Sequence, residues 1–494
     1  MSEARQYQML IDGEWTNADE NRRFDSINPA TGEVWASVPD ASERDVGRAV
    51  DAAYRAFNSG PWAATTATER GRCLRRLGDL VAAKSEELGR TETTDTGKMF
   101  KETRWQAAYI AEYFHYYAGL ADKVHGDTLP IDKPNLMVMT TREPLGVVAA
   151  VVPWNSQLFL TAVKMAPALA AGNTIVLKAS EHAPAAMLEF GRLIAEAKIP
   201  PGVVNIISGL AEPCGRALTS HPLVARISFT GGPATARHIV RNSAENLAEV
   251  SLELGGKSPV IVFDDADLES AANSVVAGIF GASGQSCVAG SRLYVQEGIA
   301  DDFLERLRRI AVQIRIGDPL AEDTQMGPLA THAQLRKIEA EVARAETEGA
   351  TVLVGGRRPE RLAAGWYYEP TIIECKHQKT TIMDTELFGP VLSVLRFRNE
   401  AQVLEYANDS AYGLAAGVFT RDGARSLRMS KALRSGIVWV NTYRVVSPLA
   451  EFGGFKHSGY GRESGMQAIY DYTRVKTIWL NTSSEPMANP FIMR

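Results

Sequence analysis

Cys287 is the residue whose surroundings most favour chemistry. It lies in residues 280–292, Phe-Gly-Ala-Ser-Gly-Gln-Ser-Cys-Val-Ala-Gly-Ser-Arg. Gly281, Ala282, Ser283, Gly284, Ser286, Ala289 and Gly290 leave room for a ligand to approach the backbone and the sulfur. A thiolate attacks carbonyl carbon, and the thioester it forms is readily opened by water. Taken alone, the segment reads at least as well as a packing seam around a small buried cysteine, the commoner fate of a free thiol. Four further pieces offer partners. Glu253-Leu254-Gly255-Gly256-Lys257-Ser258-Pro259 places a carboxylate 34 positions upstream (287 minus 253). Pro153-Trp154-Asn155 supplies a neutral amide, and Lys178-Ala179-Ser180-Glu181 a pair of opposite charges. Glu386-Leu387-Phe388-Gly389-Pro390 begins 99 positions after the cysteine (386 minus 287). Singly, these read as a surface acid, a turn residue, solvated charges and a cap.

The elements around these residues decide whether they can meet. From residue 145 the pattern alternates strand and helix. Val147 to Val152 is an apolar run suited to a strand buried on both faces. A helix over 159–170, a strand over 174–177, a helix over 184–197 and a strand over 203–207 follow, then a helix to about Ser220. Strands over 226–229, 247–254 and 260–263 continue the rhythm, with a helix starting near Ala234. Such alternation implies a doubly wound sheet with ligands at the strand C-terminal ends, where Asn155, Lys178 and Glu253 fall. A second alternating run spans roughly 268–440. Before them, 42–57 is helical, capped by Ser42, with Val46, Ala49, Val50, Ala53 and Phe57 on one face. Residues 67–119 are mainly helical with breaks near Gly97 and Gly119, and the aromatics Tyr109, Tyr113, Phe114, Tyr116 and Tyr117 read as core. Leu136 to Thr141 and Val475 to Leu480 read as strands outside the main rhythm.

Together the Glu-Leu-Gly-Gly-Lys-Ser-Pro stretch, the Gly-Gln-Ser-Cys stretch, Pro-Trp-Asn and Glu-Leu-Phe-Gly-Pro resemble the aldehyde dehydrogenase superfamily, over essentially the whole chain and in order. Two other motifs are decoys. Gly459-Tyr460-Gly461 lacks the spacing of a dinucleotide fingerprint, and Gly255-Gly256-Lys257-Ser258 lacks the first glycine of a phosphate loop. The resemblance implies that Cys287 attacks the aldehyde, that Asn155 and the Cys287 backbone N–H hold the oxyanion, and that Glu253 activates the hydrolytic water. It implies an NAD site with NADP possible and NAD preferred: Lys178, Ser180 and Glu181 at the adenosine ribose, and Glu386 and Phe388 at the nicotinamide end. Val151, Val152, Trp154, Gly209, Phe229, Thr230, Gly231, Gly232 and Leu254 line the remaining cofactor contacts. Ser286, Val288, Arg444 and Phe452 are the candidates for contact with substrate, and Arg444 reads as either a carboxylate partner or a rim charge. No metal is expected.

Departures from the family pattern are specific. Ala282 stands where relatives have asparagine. Gly232, followed by Pro233, stands where a serine usually binds phosphate. Gly209-Leu210-Ala211 replaces a Gly-x-Gly, and Met466 falls where a second glutamate is common, so no second acid is expected. The implied fold is α/β: a Rossmann-like cofactor domain over 1–124 and 145–255, a catalytic domain over 256–460, and a small β oligomerisation arm with the C-terminal segment over 125–144 and 461–494. That arm implies a homodimer or homotetramer.

Composition bounds the alternatives. With 494 residues, 22% of them charged, and a net charge of −5, nothing favours nucleic acid or an anionic membrane as a partner. No apolar run approaches the roughly 18 residues of a membrane span. Four scattered cysteines form no metal spacing or disulfide framework, and the start, Met-Ser-Glu-Ala-Arg-Gln-Tyr, has no signal-peptide pattern; both point to the cytoplasm. The alternatives are a coenzyme-A-acylating relative, against which Glu253 speaks, and a non-catalytic protein on the same scaffold, against which the Cys287, Asn155 and Glu253 set speaks.

Overall fold

The computed structural model describes residues 4–487 and 489–492. Residues 1–3, read above as part of a leaderless start, lie outside the described residues, as do 488, 493 and 494 of the C-terminal segment. Strands β1 (Met9–Ile11) and β2 (Glu14–Thr16) lie near the start of the chain, ahead of helix α1 (Glu43–Asn58). Ser42 and Asp45 cap α1 reciprocally: the Asp45 N–H donates to Ser42 Oγ at 3.2 Å and the Ser42 N–H to Asp45 Oδ2 at 2.8 Å. Val46, Ala49, Val50 and Ala53 are buried as the period requires, whereas the lower face closes on Ala56 and Phe57 stays half-buried.

The helical stretch divides into α2 (Ala67–Ala83), α3 (Ser85–Thr96) and α4 (Phe100–Leu120). Gly97 is a left-handed cap at φ 77°, as its position suggested. Gly119 is no break, because α4 continues through it to Leu120, and the unexpected break falls at Lys84. Of the aromatic stripe, Tyr113, Phe114 and Tyr117 are core, while Tyr109 and Tyr116 are only partly buried.

After strands β3 (Thr128–Leu129) and β4 (Leu136–Pro144) comes the parallel series β5 (Val147–Val151), β6 (Thr174–Lys178), β7 (Val204–Ile207), β8 (Val224–Gly231) and β9 (Glu249–Leu254). Helix α5 (Gln157–Ala171) joins β5 to β6, and α6 (Pro233–Asn246) joins β8 to β9. A second series holds β10 (Pro259–Val262), helix α7 (Leu268–Phe280), β11 (Arg292–Gln296), β12 (Thr351–Val354), β13 (Thr371–Glu374), β14 (Val391–Phe397), β15 (Ala415–Phe419) and β16 (Ile437–Val440). Short β17 (Gly459–Tyr460) and long β18 (Thr473–Asn481) follow.

Three sheets matter for the site. The first runs β17-β9-β8-β5-β6-β7-β1-β2, and the second β12-β13-β14-β11-β10-β15-β16. The inner strands of both are apolar on both faces because helices cover both sides. The third sheet, β18-β4-β3, stands apart. There β18 pairs antiparallel with β4 from Thr473↔Pro144 to Asn481↔Leu136, a longer ladder than the sequence suggested. Val475, Trp479 and Leu480 on β18 are exposed. The fold class is therefore α/β with a small β arm, but the first sheet recruits β17 from near the end of the second segment.

Candidate active site

The parallel strands end together. Val151 of β5 pairs with Lys178 of β6 on one side and with Phe229 of β8 on the other. Thr230 pairs with Glu253 and Gly231 with Leu254. Chain order runs outward from β5 through β6 and β7, then returns to β8 and β9 on the opposite side, so the crevice beyond β5 and β8 is the switch point at which such sheets bind ligands.

Lys178 and Glu181 lie on the β6 side of that crevice. Lys178 Nζ stands 3.5 Å from the Glu181 carboxylate and donates to the Ala179 carbonyl at 3.2 Å. Burial pushes Glu181 up, but the Lys178 charge together with hydrogen bonds to the carboxylate outweighs it, and the carboxyl lies below its ordinary range. Ser180 is buried beside them, its Oγ accepting the His182 N–H at 3.3 Å. Gly209 has a packing reason of its own: a Cβ there would lie 2.7 Å from the Cβ of buried Cys214. On the β8 side, the Phe229 ring covers Gly231, where a Cβ would meet Cζ at 2.4 Å. Gly232 caps α6 in an extended conformation with open space around it and no side-chain cap bond. Thr230 Oγ1 is buried without a hydrogen-bond partner among the described residues. A bare helix start beside an orphaned hydroxyl fits an anionic group.

Across the crevice, Glu386 Oε1 accepts the Gly256 N–H at 3.0 Å, and its backbone carbonyl takes Lys337 Nζ at 2.7 Å. Gly255 must be glycine here, since a Cβ would sit 2.0 Å from Glu386 Oε2. Phe388, in the left-handed region at φ 59°, meets Trp154 edge-on with ring centroids 5.4 Å apart. The Val152 N–H donates to the Lys178 carbonyl at 3.2 Å, and the Leu254 N–H to that of Ser458 at 3.0 Å.

The Cys287 loop begins where α7 ends. Ala282, Ser283 and Gly284 are consecutive left-handed residues, at φ 53°, 53° and 73°. This strained run is tied down: Ser283 Oγ donates to the Gly327 carbonyl at 2.8 Å, and Gln285 Oε1 accepts the Ala330 N–H at 2.8 Å. Gly284 abuts the Glu386 turn so closely that a Cβ would lie 2.0 Å from the Gly389 oxygen. Asn155 Nδ2 donates to the Gln285 carbonyl at 3.0 Å, which joins the end of β5 to the cysteine loop. Burial, then the Glu386 and Glu253 carboxylates, push the Cys287 thiol up to about 12, against the Val288 N–H and the Arg444 charge.

Glu253 is buried, with both carboxyl oxygens lacking a hydrogen-bond partner among the described residues. Burial and the Glu463 carboxylate push it well above the ordinary range, while Lys164 and Arg462 oppose. Here the sequence reading needs correction. A second acid does reach the site: it is Glu463, three positions before Met466, which is itself exposed. Glu463 is buried and bonded to Lys164, whose Nζ also meets Ser228 Oγ at 3.1 Å. Lys164 is the one charge in the apolar helix Gln-Leu-Phe-Leu-Thr-Ala-Val-Lys-Met-Ala-Pro-Ala-Leu-Ala-Ala, a signal that sequence reasoning passed over.

The candidates for substrate contact fare unequally. Ser286 is half-buried beside the cysteine. Val288 is 6% exposed and belongs to the core under the loop, which removes it from the mouth. Phe452 is half-buried on that core and exchanges backbone hydrogen bonds with Glu463 at 2.6 and 2.8 Å. Arg444 reaches the end of α7, where Nη1 donates to the Ala277 carbonyl at 2.8 Å.

Residues 15–478 match the family model described as the aldehyde dehydrogenase family. The chain is 55% identical, over 99% of its length and 100% of the relative's, to the (Z)-2-((N-methylformamido)methylene)-5-hydroxybutyrolactone dehydrogenase of Acinetobacter baylyi. It is 42% identical to the chloroplastic betaine aldehyde dehydrogenase of Beta vulgaris, over 97% of each chain. The solved NAD+ complex of an aldehyde dehydrogenase from Bacillus cereus superposes with a TM-score of 0.95 at 40% identity, covering 97% of each chain. A cysteine, an amide and a buried acid thus gather at the switch point of a chain that belongs to the aldehyde dehydrogenase family, oxidoreductases that act on aldehydes.

Proposed function

We propose that the protein oxidises an aldehyde to a carboxylic acid with NAD, through covalent catalysis at Cys287. The observation that carries this reading is the Asn155–Gln285 hydrogen bond, which sets a side-chain amide against the loop of a thiol flanked by a buried acid. Lys178 and Glu181 would hold the adenosine ribose, the α6 start with Thr230 and Gly232 the phosphates, and Glu386 with Phe388 and Trp154 the nicotinamide end. The bound dinucleotide supplies the hydride acceptor that converts thiohemiacetal to thioester.

The chain's own groups do the rest. Burial pushes both the Cys287 thiol and the Glu253 carboxyl up, helped at the thiol by the Glu386 and Glu253 carboxylates and at Glu253 by Glu463. The Cys287 proton passes through water to the Glu253 carboxylate, and the sulfur bonds the aldehyde carbon. Asn155 spends one N–H on Gln285; the second, with the Cys287 backbone N–H, meets the oxygen that becomes negative. Glu253, once ionised, takes a proton from the water that opens the thioester, and Glu463 with Lys164 gives that proton an onward acceptor. The test is Cys287→Ala with NAD+ and a simple aldehyde, with and without coenzyme A. Loss of NADH formation with retained NAD+ binding is expected, and wild-type turnover by the variant would remove Cys287 from the reaction.

The carboxylate of Glu181 favours NAD over NADP, because the 2′-phosphate would face a like charge. The chain divides into the cofactor, catalytic and arm segments given above, and the unpaired edge of β18 joins subunits into a dimer or a dimer of dimers. Four free cysteines support a cytoplasmic location; among the described residues no helix is long and apolar enough to cross a membrane.

A further inference from the structure

We propose that Arg444 is a specificity residue that pairs with a carboxylate at the far end of the substrate, so that the preferred aldehydes are oxo-acids. The proposal rests on Cys287-centred aldehyde oxidation. It starts from how Arg444 is held. Its neighbour Tyr443 is buried, and the hydroxyl donates to the Val288 carbonyl at 3.0 Å, which pins this segment onto the cysteine loop. Glycines make the room: a Cβ at Gly278, Gly290 or Gly417 would lie 2.9, 3.1 or 2.7 Å from the Tyr443 ring. Arg444 itself has φ 63°, a conformation an arginine adopts only when its surroundings impose it.

The guanidinium then lies over Gly281, where a Cβ would be 2.4 Å from Nη1. Any larger residue at the start of the cysteine loop would expel it. Its positive charge is felt at the Cys287 thiol. Capping α7 explains one hydrogen bond, to Ala277, out of the five N–H groups of the side chain. Among the described residues no carboxylate lies within 4.0 Å of Arg444, and the Ala277 carbonyl is its one protein acceptor. A planar cation with a free fork is a bidentate site for a carboxylate.

An aromatic pair adjoins this segment. Trp105 is 58% exposed and stacks on Tyr109, with centroids 5.0 Å apart and planes 8° apart. The Tyr109 hydroxyl donates to the Val446 carbonyl at 3.0 Å, so the aromatic pair and the Arg444 segment are fixed to each other. A substrate entering here passes apolar rings while one charge guides its tail.

The full-length enzyme should be assayed with saturating NAD+ on matched pairs: 4-oxobutanoate against butanal, and 6-oxohexanoate against hexanal. In the wild type, kcat/KM for at least one oxo-acid should exceed that of its neutral partner by about tenfold or more. Arg444→Met, which keeps the bulk of the stem, should shrink that ratio about tenfold, toward one, mostly through KM, and Arg444→Lys should fall between. A ratio that Arg444→Met leaves unchanged, or a wild-type preference for a trimethylammonio aldehyde over both oxo-acids, overturns the proposal. Binding is read separately. Unreactive succinate or glutarate should slow alkylation of Cys287 by iodoacetamide in the wild type and not in Arg444→Met; equal protection in both overturns it. If neither neutral nor charged aldehydes yield NADH, the oxidation reading falls; if neutral aldehydes react and the ratios do not move, only the role of Arg444 falls.

Discussion

Gly255→Ala tests the Glu386 side of the crevice, and its effect can be worked from distances. The added Cβ would lie 2.0 Å from Glu386 Oε2 and 2.4 Å from both Oε1 and Cδ, so the carboxylate must retreat by about 1.4 Å to reach the 3.4 Å of ordinary contact. That movement breaks its 3.0 Å hydrogen bond from the Gly256 N–H. The displaced group is the free end of a flexible side chain, so the fold itself should lose less than about 1 kcal/mol. Function should lose more. A hydrogen bond from cofactor to a charged group is worth about 1.5–3 kcal/mol, hence kcat/KM for NAD+ should drop roughly 10- to 150-fold. NADH formation at varied NAD+ measures the loss, and thermal unfolding measures the fold. Glu386→Ala supplies the control. If Gly255→Ala acts by displacing Glu386, adding it to Glu386→Ala should change kcat/KM by no more than about twofold. Full additivity of the two substitutions would refute the reasoning, because the alanine would then be acting on something other than Glu386.

Glu463→Gln removes a charge that raises Glu253 and leaves Lys164 and Arg462, which lower it. The base works only when ionised, so the rising limb of the kcat–pH profile should move to lower pH; a stationary limb would separate Glu463 from the base. Glu181→Gln should raise the NADP to NAD ratio of kcat/KM, starting from a wild-type preference for NAD of about tenfold or more; an unchanged ratio would show that Glu181 does not set the choice. Removing 475–494 takes away most of β18 and should break the oligomer, as read by sedimentation; an intact assembly would assign the contacts elsewhere.

Strands buried on both faces announce themselves as apolar runs, which is why β5, β6 and β7 were legible almost residue by residue. Capping residues were equally clear at Ser42 and Gly97. Gly119 misled because a glycine inside a helix is a cost and not a stop, and α4 offsets that cost by packing against its neighbours. The site was legible only through the joint match of several motifs, since Cys287 alone is indistinguishable in sequence from a packing cysteine. What escaped was whatever depends on sheet-to-sheet assembly. The left-handed run Ala282–Ser283–Gly284 is imposed by contacts with Gly327, Ala330 and Gly389, none of which is near in sequence. Glu463 meets Glu253 because β17 docks on β9, a pairing that no local pattern encodes.

That docking also sets when a growing chain becomes an enzyme. The strand bearing Glu253 is sealed by β17, and Ser458 Oγ clasps the Gly255 carbonyl from 203 positions away. At usual ribosomal speeds, Cys287 is synthesised roughly 10–35 s before Glu463. In the finished fold, burial and the Glu386 and Glu253 carboxylates push its thiol up to about 12. The β17 seal and Glu463 thus arrive last, so a chain that stops before residue 459 lacks both, however far its earlier strands have paired.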